Sequence, residues 1–367
     1  MSMFRLRERE TADRIVGLLK KLKLNIHLMH VCGTHQDTLV RFGLDALLEE
    51  CGIKIRQGPG CPVCVTPTRE YEEACTLAKN GLVVTTFGDA SRVPGRNKSL
   101  LELRAEGNDI RIVYGIEDAV KMAKQTNKDV VFLGVGFETT APTTAITLMN
   151  DPPKNFSVIS CHRYVPPALH VLLGKQGHTL QGMIEPGHVS TIIGVKPYEP
   201  LTEKYGIPQV IAGFEPLDML MAVYMLAKQI TRGEARVENE YSRAVQYEGN
   251  IKALKALDEV FEPFDTVWRG FPTIPDSGMK IRKTYEEFDA RKIYEDKLKD
   301  IGIDDSEAES ECRCGDVLSG TMDSTDCPLF GSTCIPTHPV GPCMVSVEGS
   351  CNIEFRYGKR RKQASIS

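Results

Sequence analysis

No stretch of this 367-residue sequence approaches the ~18 consecutive apolar residues of a membrane span, which excludes a bundle of membrane helices. The first ten residues, Met1 to Glu10, carry charge where a signal peptide has its apolar run, so a cytoplasmic protein is expected. Neither a Gly-x-Gly-x-x-Gly nor a Walker A pattern is present, which leaves nucleotide binding with little support. Basic residues form no block beyond Lys359-Arg360-Arg361-Lys362, and the formal charge is −4. A nucleic-acid partner would call for a larger basic face, and that short run reads as a solvated, frayed end. Hydrophobic residues at 41% and charged residues at 26% fit a soluble chain with a proper core, divided by its length into two or three domains.

Cysteine is plentiful, with twelve in all. In a reducing compartment these are expected to be metal ligands or redox thiols rather than structural disulfides. Cys51, Cys75 and Cys161 sit in apolar or helical surroundings and read as inert buried thiols. Cys32, Cys61 and Cys64 fall in turns. Cys312, Cys314, Cys327, Cys334, Cys343 and Cys351 crowd the last 56 residues.

The chain alternates short apolar runs with amphipathic ones. A helix is expected over residues 8–23, where Ile15, Leu18, Leu19 and Leu22 share a face. A strand from Asn25 to Val31 leads through Cys32-Gly33-Thr34-His35 into a helix. Ile53 to Arg56 is a strand running into Gly58-Pro59-Gly60-Cys61-Pro62-Val63-Cys64. Further strands are predicted at 82–87, 110–114, 130–135, 156–160, 182–184 and 209–212, with helices between them and a strongly apolar one from Leu217 to Ile230. In that last helix Met219, Met221 and Met225 are packing residues.

Such alternation implies parallel sheets covered on both faces, with ligands beyond the carboxyl ends of the strands. We expect an α/β protein: an N-terminal helix at 1–24, two similar α/β domains at 25–125 and 126–231, and a mostly helical and irregular cysteine-rich region at 232–367. Within that region 250–262 and 284–299 read as helices joined by a Pro/Gly-rich link around Phe271 to Pro275, with an acidic patch from Asp304 to Glu311.

Cys-x-x-Cys in a Gly/Pro turn serves a redox dithiol, half a zinc site or an iron-ligand pair, and the spacing does not choose. A thiol at Cys32, beside a helix N-terminus, is favoured as thiolate, and His35 one turn along is placed to take its proton. Glu138, His188 and Asp89, in turns at strand ends, either line the site or fix their loops; His162 and His170 read as structural. The tail pattern Cys312-x-Cys314-x12-Cys327-x6-Cys334-x8-Cys343-x7-Cys351 lacks the paired knuckles and histidines of zinc modules. Four thiolates from irregular backbone suit an iron–sulfur cluster, and two cysteines remain for a dithiol. A zinc-stabilised binding module and a cluster-dependent thiol–disulfide oxidoreductase are the rival readings.

Together with Gly136-Phe137-Glu138-Thr139-Thr140, Glu185-Pro186-Gly187-His188-Val189-Ser190, Gly213-Phe214-Glu215-Pro216-Leu217-Asp218 and Pro339 to Ser346, these motifs resemble the HypD family of [NiFe]-hydrogenase maturation proteins over roughly residues 12–357. The resemblance implies a redox-active scaffold, rather than a conventional turnover enzyme, on which an iron ion receives its cyanide and carbon monoxide ligands. It also implies a HypC-type chaperone sharing the iron, a HypE-type cyanide donor, and delivery to the hydrogenase large subunit. By it, Cys32, Cys61 and Cys64 form the iron-assembly site, Cys312, Cys327, Cys334 and Cys351 bind a [4Fe-4S] cluster, and Cys314 and Cys343 are the adjacent redox dithiol. Thr337-His338 stands where an acidic residue is common in the family, although all six tail cysteines remain. Thiolates suit the soft low-spin iron that such ligands produce.

Overall fold

The computed structural model describes residues 3–175, 179–301 and 311–358, with side chains of the first helix described from residue 9 onward. The basic run Lys359 to Lys362 and all of the acidic patch except Glu311 lie outside the described residues. Eleven strands are described: β1 (Ile26–His30), β2 (Ile53–Gln57), β3 (Val83–Thr86), β4 (Ile110–Ile112), β5 (Val130–Gly136), β6 (Phe156–His162), β7 (Gly182–Pro186), β8 (Gln209–Ala212), β9 (Val237–Asn239), β10 (Phe261–Val267) and β11 (Thr273–Ile281). No helix among the described residues is long and apolar enough to cross a membrane.

Two parallel sheets carry the molecule, as the alternation of strands and helices predicts. One has the order β2-β1-β7-β8-β9 and the other β4-β3-β5-β6. They do not follow one another along the chain. β1 pairs with β2 on one side and with β7 on the other, while β3 pairs with β4 and β5. The chain therefore starts the first sheet, leaves to build the whole of the second, and returns to finish the first. The ranges 25–125 and 126–231 expected for two consecutive units cut across both sheets. Strand periodicity is the same whichever neighbour a strand takes, so local pattern does not report which crossover closes on which sheet.

Burial explains the elements. β5 and β6 are buried at every position, as strands with helices on both faces must be. The first helix, Met3–Lys21, and the apolar helix Pro216–Arg232 pack through Ile15, Leu19, Met219 and Leu226 onto one face of the first sheet. Each such fully buried aliphatic side chain contributes roughly 1.5–3 kcal/mol. Met221 and Met225 pack against the same cluster, as ordinary helix packing requires. Helix Leu100–Ala105 starts in a Ser99–Glu102 capping box, and helix Pro216–Arg232 ends on Gly233 in the left-handed region.

Beyond residue 232 the helix expected at 250–262 is present as Ile251–Val260, whereas the link and the second helix differ from expectation. The first stops at Val260, and the chain turns into an antiparallel hairpin, β10–β11. The Pro/Gly-rich stretch supplies the end of its turn and the start of β11 rather than a link between helices. Pro275 lies in the bulge where the register shifts between Phe264 and Thr266, so its missing N–H removes no ladder hydrogen bond. The expected helix 284–299 is three short pieces, Lys283–Phe288, Ala290–Ile293 and Glu295–Leu298. One break falls at Asp289, whose extended backbone starts a new turn and whose carboxylate accepts the Arg291 N–H at 3.0 Å, and the other at Tyr294. The cysteine-rich end is irregular apart from short helices, among them Cys314–Leu318, Pro342–Val345 and Ser350–Ile353.

Candidate functional site

β1 and β2 are parallel neighbours, so the turns that follow them run side by side. Cys32 and Cys61 occupy equivalent places: each ends its turn with extended backbone and caps the following helix, Gly33–Arg41 and Pro62–Val65. The turns are tied backbone to backbone, with Gly58 N–H donating to His30 O at 2.7 Å and Gly33 N–H to Gly60 O at 3.3 Å. A Cβ at Gly60 would stand 2.2 Å from Cys32 N and from Val31 C, so only glycine permits this approach. Cys61 and Cys64 form a disulfide with Cα atoms 5.2 Å apart, and Cys32 is a free buried thiol. With that disulfide closed, neither of its sulfurs is a thiolate ligand.

The expected electrostatics of Cys32 are corrected. Burial pushes its thiol up to about 11, against the downward pull of the His35 and Thr34 amides and the Thr34 hydroxyl. Burial also takes His35 down to about 3. The thiol thus keeps its proton in the protein alone, and His35 does not hold it. His35 instead bonds through Nε2 to Ala212 O at 3.2 Å, at the end of β8. A carbonyl only accepts, so Nε2 carries the hydrogen and Nδ1, which has no partner among the described residues, is a bare acceptor. His30, lowered by burial to about 4, bonds Gln36 Oε1 at 2.8 Å.

The ends of β5, β7 and β8 add buried acids and aromatic rings. Phe214 stacks on His188 with ring centroids 3.8 Å apart and lies 5.2 Å from His35. Glu185 and Glu138 are both raised by burial to about 8. Glu138 accepts the Val165 N–H at 2.9 Å through one oxygen, whereas both oxygens of Glu185 lack a partner among the described residues. The buried hydroxyl of Tyr198, 3.0 Å from Ser190 Oγ, lies within the electrostatic reach of Glu185, Glu138 and Cys32. One acid comes from each sheet. Asp89 has a loop-fixing role, capping Ala90 N–H at 2.9 Å and accepting from Ser346 at 3.1 Å. His162 and His170 are structural as read, the first bonded to Thr144 at 3.0 Å and the second packed on Tyr205. Cys51, Cys75 and Cys161 are free buried thiols.

The tail comes back to this site. Cys312, Cys327, Cys334 and Cys351 line one small cavity, together with Cys314 and Cys343, which form a disulfide with Cα atoms 6.4 Å apart. Burial raises Cys312 to about 11 and Cys351 to about 12, and each is pushed further by the other cavity cysteines. The Val340 N–H points at Cys334 Sγ, 3.3 Å away, and a Cβ at Gly341 would fall 2.3 Å from Cys312 Sγ. Just past Gly341, the Pro342 carbonyl lies 3.9 Å from Cys64 Sγ. The segment then reaches both sheets: Arg92 donates to Val345 O at 2.7 Å, and Glu348 packs on Gly33. Across the described residues no group of three or more His, Cys, Asp or Glu side chains has an arrangement that could hold one metal ion.

A family model described as "HypD: Hydrogenase formation hypA family" matches residues 7–358. The chain belongs to the HypD family. A putative hydrogenase expression/formation protein of Methanocaldococcus jannaschii is 49% identical over 95% of this chain and 96% of its own. The HypD hydrogenase maturation factors of Rhodobacter capsulatus and Escherichia coli are 42% and 41% identical, over 95% and 92% of this chain and 93% and 91% of theirs. In this HypD-family chain the tertiary fold brings the turn of Cys32 against that of Cys61 and the six tail cysteines around one cavity.

Several residues of the site escaped sequence reasoning. Trp268, the sole tryptophan, sits on the hairpin, stacks on Phe137 of the Gly-Phe-Glu motif and donates to Ser277 Oγ at 2.9 Å. The next residue, Arg269, donates from its backbone to Val65 O at 2.7 Å, fastening the hairpin to the Cys61–Cys64 turn. Its rarity was the available signal for Trp268. Tyr198 and Glu348 had none, since each is a common residue type in an unremarkable local context.

Proposed function

We propose that this chain is a cytoplasmic hydrogenase maturation scaffold on which iron acquires its cyanide and carbon monoxide ligands. In this reading the iron is cargo, held by Cys32 jointly with a HypC-type chaperone, while a HypE-type protein donates cyanide and the hydrogenase large subunit receives the product. Cys61 and Cys64 add ligands or electrons only after their disulfide opens. The observation that carries the reading is the continuity of sulfur chemistry from the tail cavity, through the Cys314–Cys343 pair and the Pro342 contact, to Cys64 and the turn beside Cys32.

Four thiols on one cavity wall, an amide aimed at one of them and a glycine leaving room at another fit a [4Fe-4S] cluster held by Cys312, Cys327, Cys334 and Cys351. When bound, such a cluster supplies single electrons. The chain's own residues do the rest. The tail segment bridges Asp89 and Gly33, and so keeps the two disulfides near each other. His35 fixes the turn of Cys32 against β8 and leaves an acceptor nitrogen in the buried site. Binding of a cation beside Cys32 would lower its thiol from about 11 and release the proton.

Anaerobically purified protein is expected to contain iron and acid-labile sulfide; zinc without sulfide would exclude the cluster. Cys32→Ala should abolish iron held jointly with the chaperone and leave cluster absorbance intact. Retained iron would remove Cys32 from the site. Partner-free turnover of a disulfide substrate would instead favour the oxidoreductase reading.

A further inference from the structure

A cavity of about 570 Å³ borders the tail cysteines, and the reading above does not use it. Cys312, Cys314 and Gly341 line both this cavity and the smaller cysteine-lined one, so they form a shared wall; Cys343 lines only the smaller. Its other walls carry Arg69, Arg96, Arg269 and Lys297 against Glu72 and Asp300. Glu72 is already engaged, accepting the Arg96 N–H at 2.7 Å and facing Lys79 at 3.4 Å. Arg96 and Lys297 are exposed at the surface. The volume lies in the range of small-molecule pockets, roughly 300–1,000 Å³. A chamber of that size, with a surplus of cations and one cysteine of a disulfide in its wall, has a specific use.

We infer that this cavity admits an anionic thiol reductant of low molecular mass to Cys314, and that the Cys314–Cys343 disulfide is opened from this side. The inference rests on the reading that this pair is redox-active. The reductant's thiolate attacks Cys314 Sγ; the Cys314–Cys343 bond breaks, and Cys343 leaves as thiolate and takes a proton from water. A second thiolate attacks the reductant's sulfur in the mixed disulfide. That step releases Cys314, which is protonated in turn, and forms the reductant's own disulfide. Two thiols are oxidised and one protein disulfide is reduced, with two electrons transferred. The cations draw in the anionic thiol and hold it over Cys314, while a cationic thiol is repelled.

The test uses the full-length protein, anaerobic, with 3-mercaptopropionate, 2-mercaptoethanol and cysteamine as probes. The opening of each disulfide is followed by differential alkylation and mass spectrometry. Each rate is expressed per thiolate and referred to the same thiol's rate with a small neutral disulfide. 3-Mercaptopropionate should open Cys314–Cys343 at least about tenfold faster than cysteamine, with 2-mercaptoethanol between. Arg96→Glu combined with Lys297→Glu should abolish or invert that order, while the order at Cys61–Cys64 stays unchanged. Equal rates for the three thiols, or an order that survives the double substitution, overturns the inference but leaves the redox role standing. If no thiol opens the pair at all, both fail.

Discussion

Cys32 sets two effects of known size against each other. A helix N-terminus stabilises a thiolate by about 0.3–1 kcal/mol at an exposed site. Removing a charge from water costs several kcal/mol. At this position burial wins, so the thiol is raised. The same balance acts on the acids. Glu138 and Glu185, raised from 4.5 to about 8, hold protons in the folded chain that the unfolded chain releases, and stability falls as pH rises through that window. His30, His35 and His162, lowered from 6.5 to about 4, 3 and 3, act in the opposite sense, losing stability as pH drops below 6.5. Above pH 6.5 the share of these histidines fades, from half protonated in the unfolded chain at pH 6.5 to about a tenth at 7.5, and the two acids dominate, joined by Glu240, which burial raises to about 7. The urea midpoint of the protein should therefore decline from pH 6.5 to 8.5, and Glu185→Gln should flatten the decline. A midpoint that rises over that interval would contradict the buried-acid assignment.

Turns after parallel strands make the site at the next scale, and their spacing depends on glycine. Gly60 meets backbone atoms of Val31 and Cys32 where any Cβ would sit, and backbone cannot swing aside as a flexible side chain does. Gly60→Ala should cost about 1–3 kcal/mol, the usual penalty of overpacking, and should separate the Cys32 and Cys61 turns. Chaperone-shared iron would be lost with it, while cluster absorbance persists. Gly17, within the first helix, has nothing within 4 Å of the added atom. Gly17→Ala should stabilise by roughly 0.5–1 kcal/mol, because the helix gains propensity without a clash. Urea denaturation of both variants decides the contrast; equal effects would mean that the close approach at Gly60 is unimportant.

The whole molecule is fastened by a buried ion network. Arg163, just past β6, donates to Glu70 at 2.6 Å; Glu70 is shared with Arg291 at 3.1 Å, and Arg291 reaches Glu73 at 2.8 Å. Arg291 also donates to Ser160 O at 2.7 Å. The network binds the second sheet to helix Thr68–Lys79, which directly follows the Cys61–Cys64 turn, and to the segment leading toward the tail. Opposing charges hold Glu70 below the usual carboxylate range in spite of its burial. Arg163→Met should cost about 3–5 kcal/mol in urea unfolding, since it breaks a buried pair and leaves charge behind. A loss below 1 kcal/mol would mean that Arg291 alone satisfies the acids.

Sequence by itself determined the class of fold, most elements before residue 232 and every cysteine of the candidate site. Hydrophobic period, caps and turn residues act within a few positions, and cysteines in Gly/Pro turns declare their chemistry by residue type. Tertiary structure decided what depends on contacts between distant segments: that β1 pairs with β7, that the hairpin carries Trp268 to Phe137, and that the tail returns to Gly33 and Asp89. It also decided the protonation of Cys32 and His35. Helix position is written locally, whereas desolvation is produced by everything that packs around a group, and here desolvation is the larger of the two.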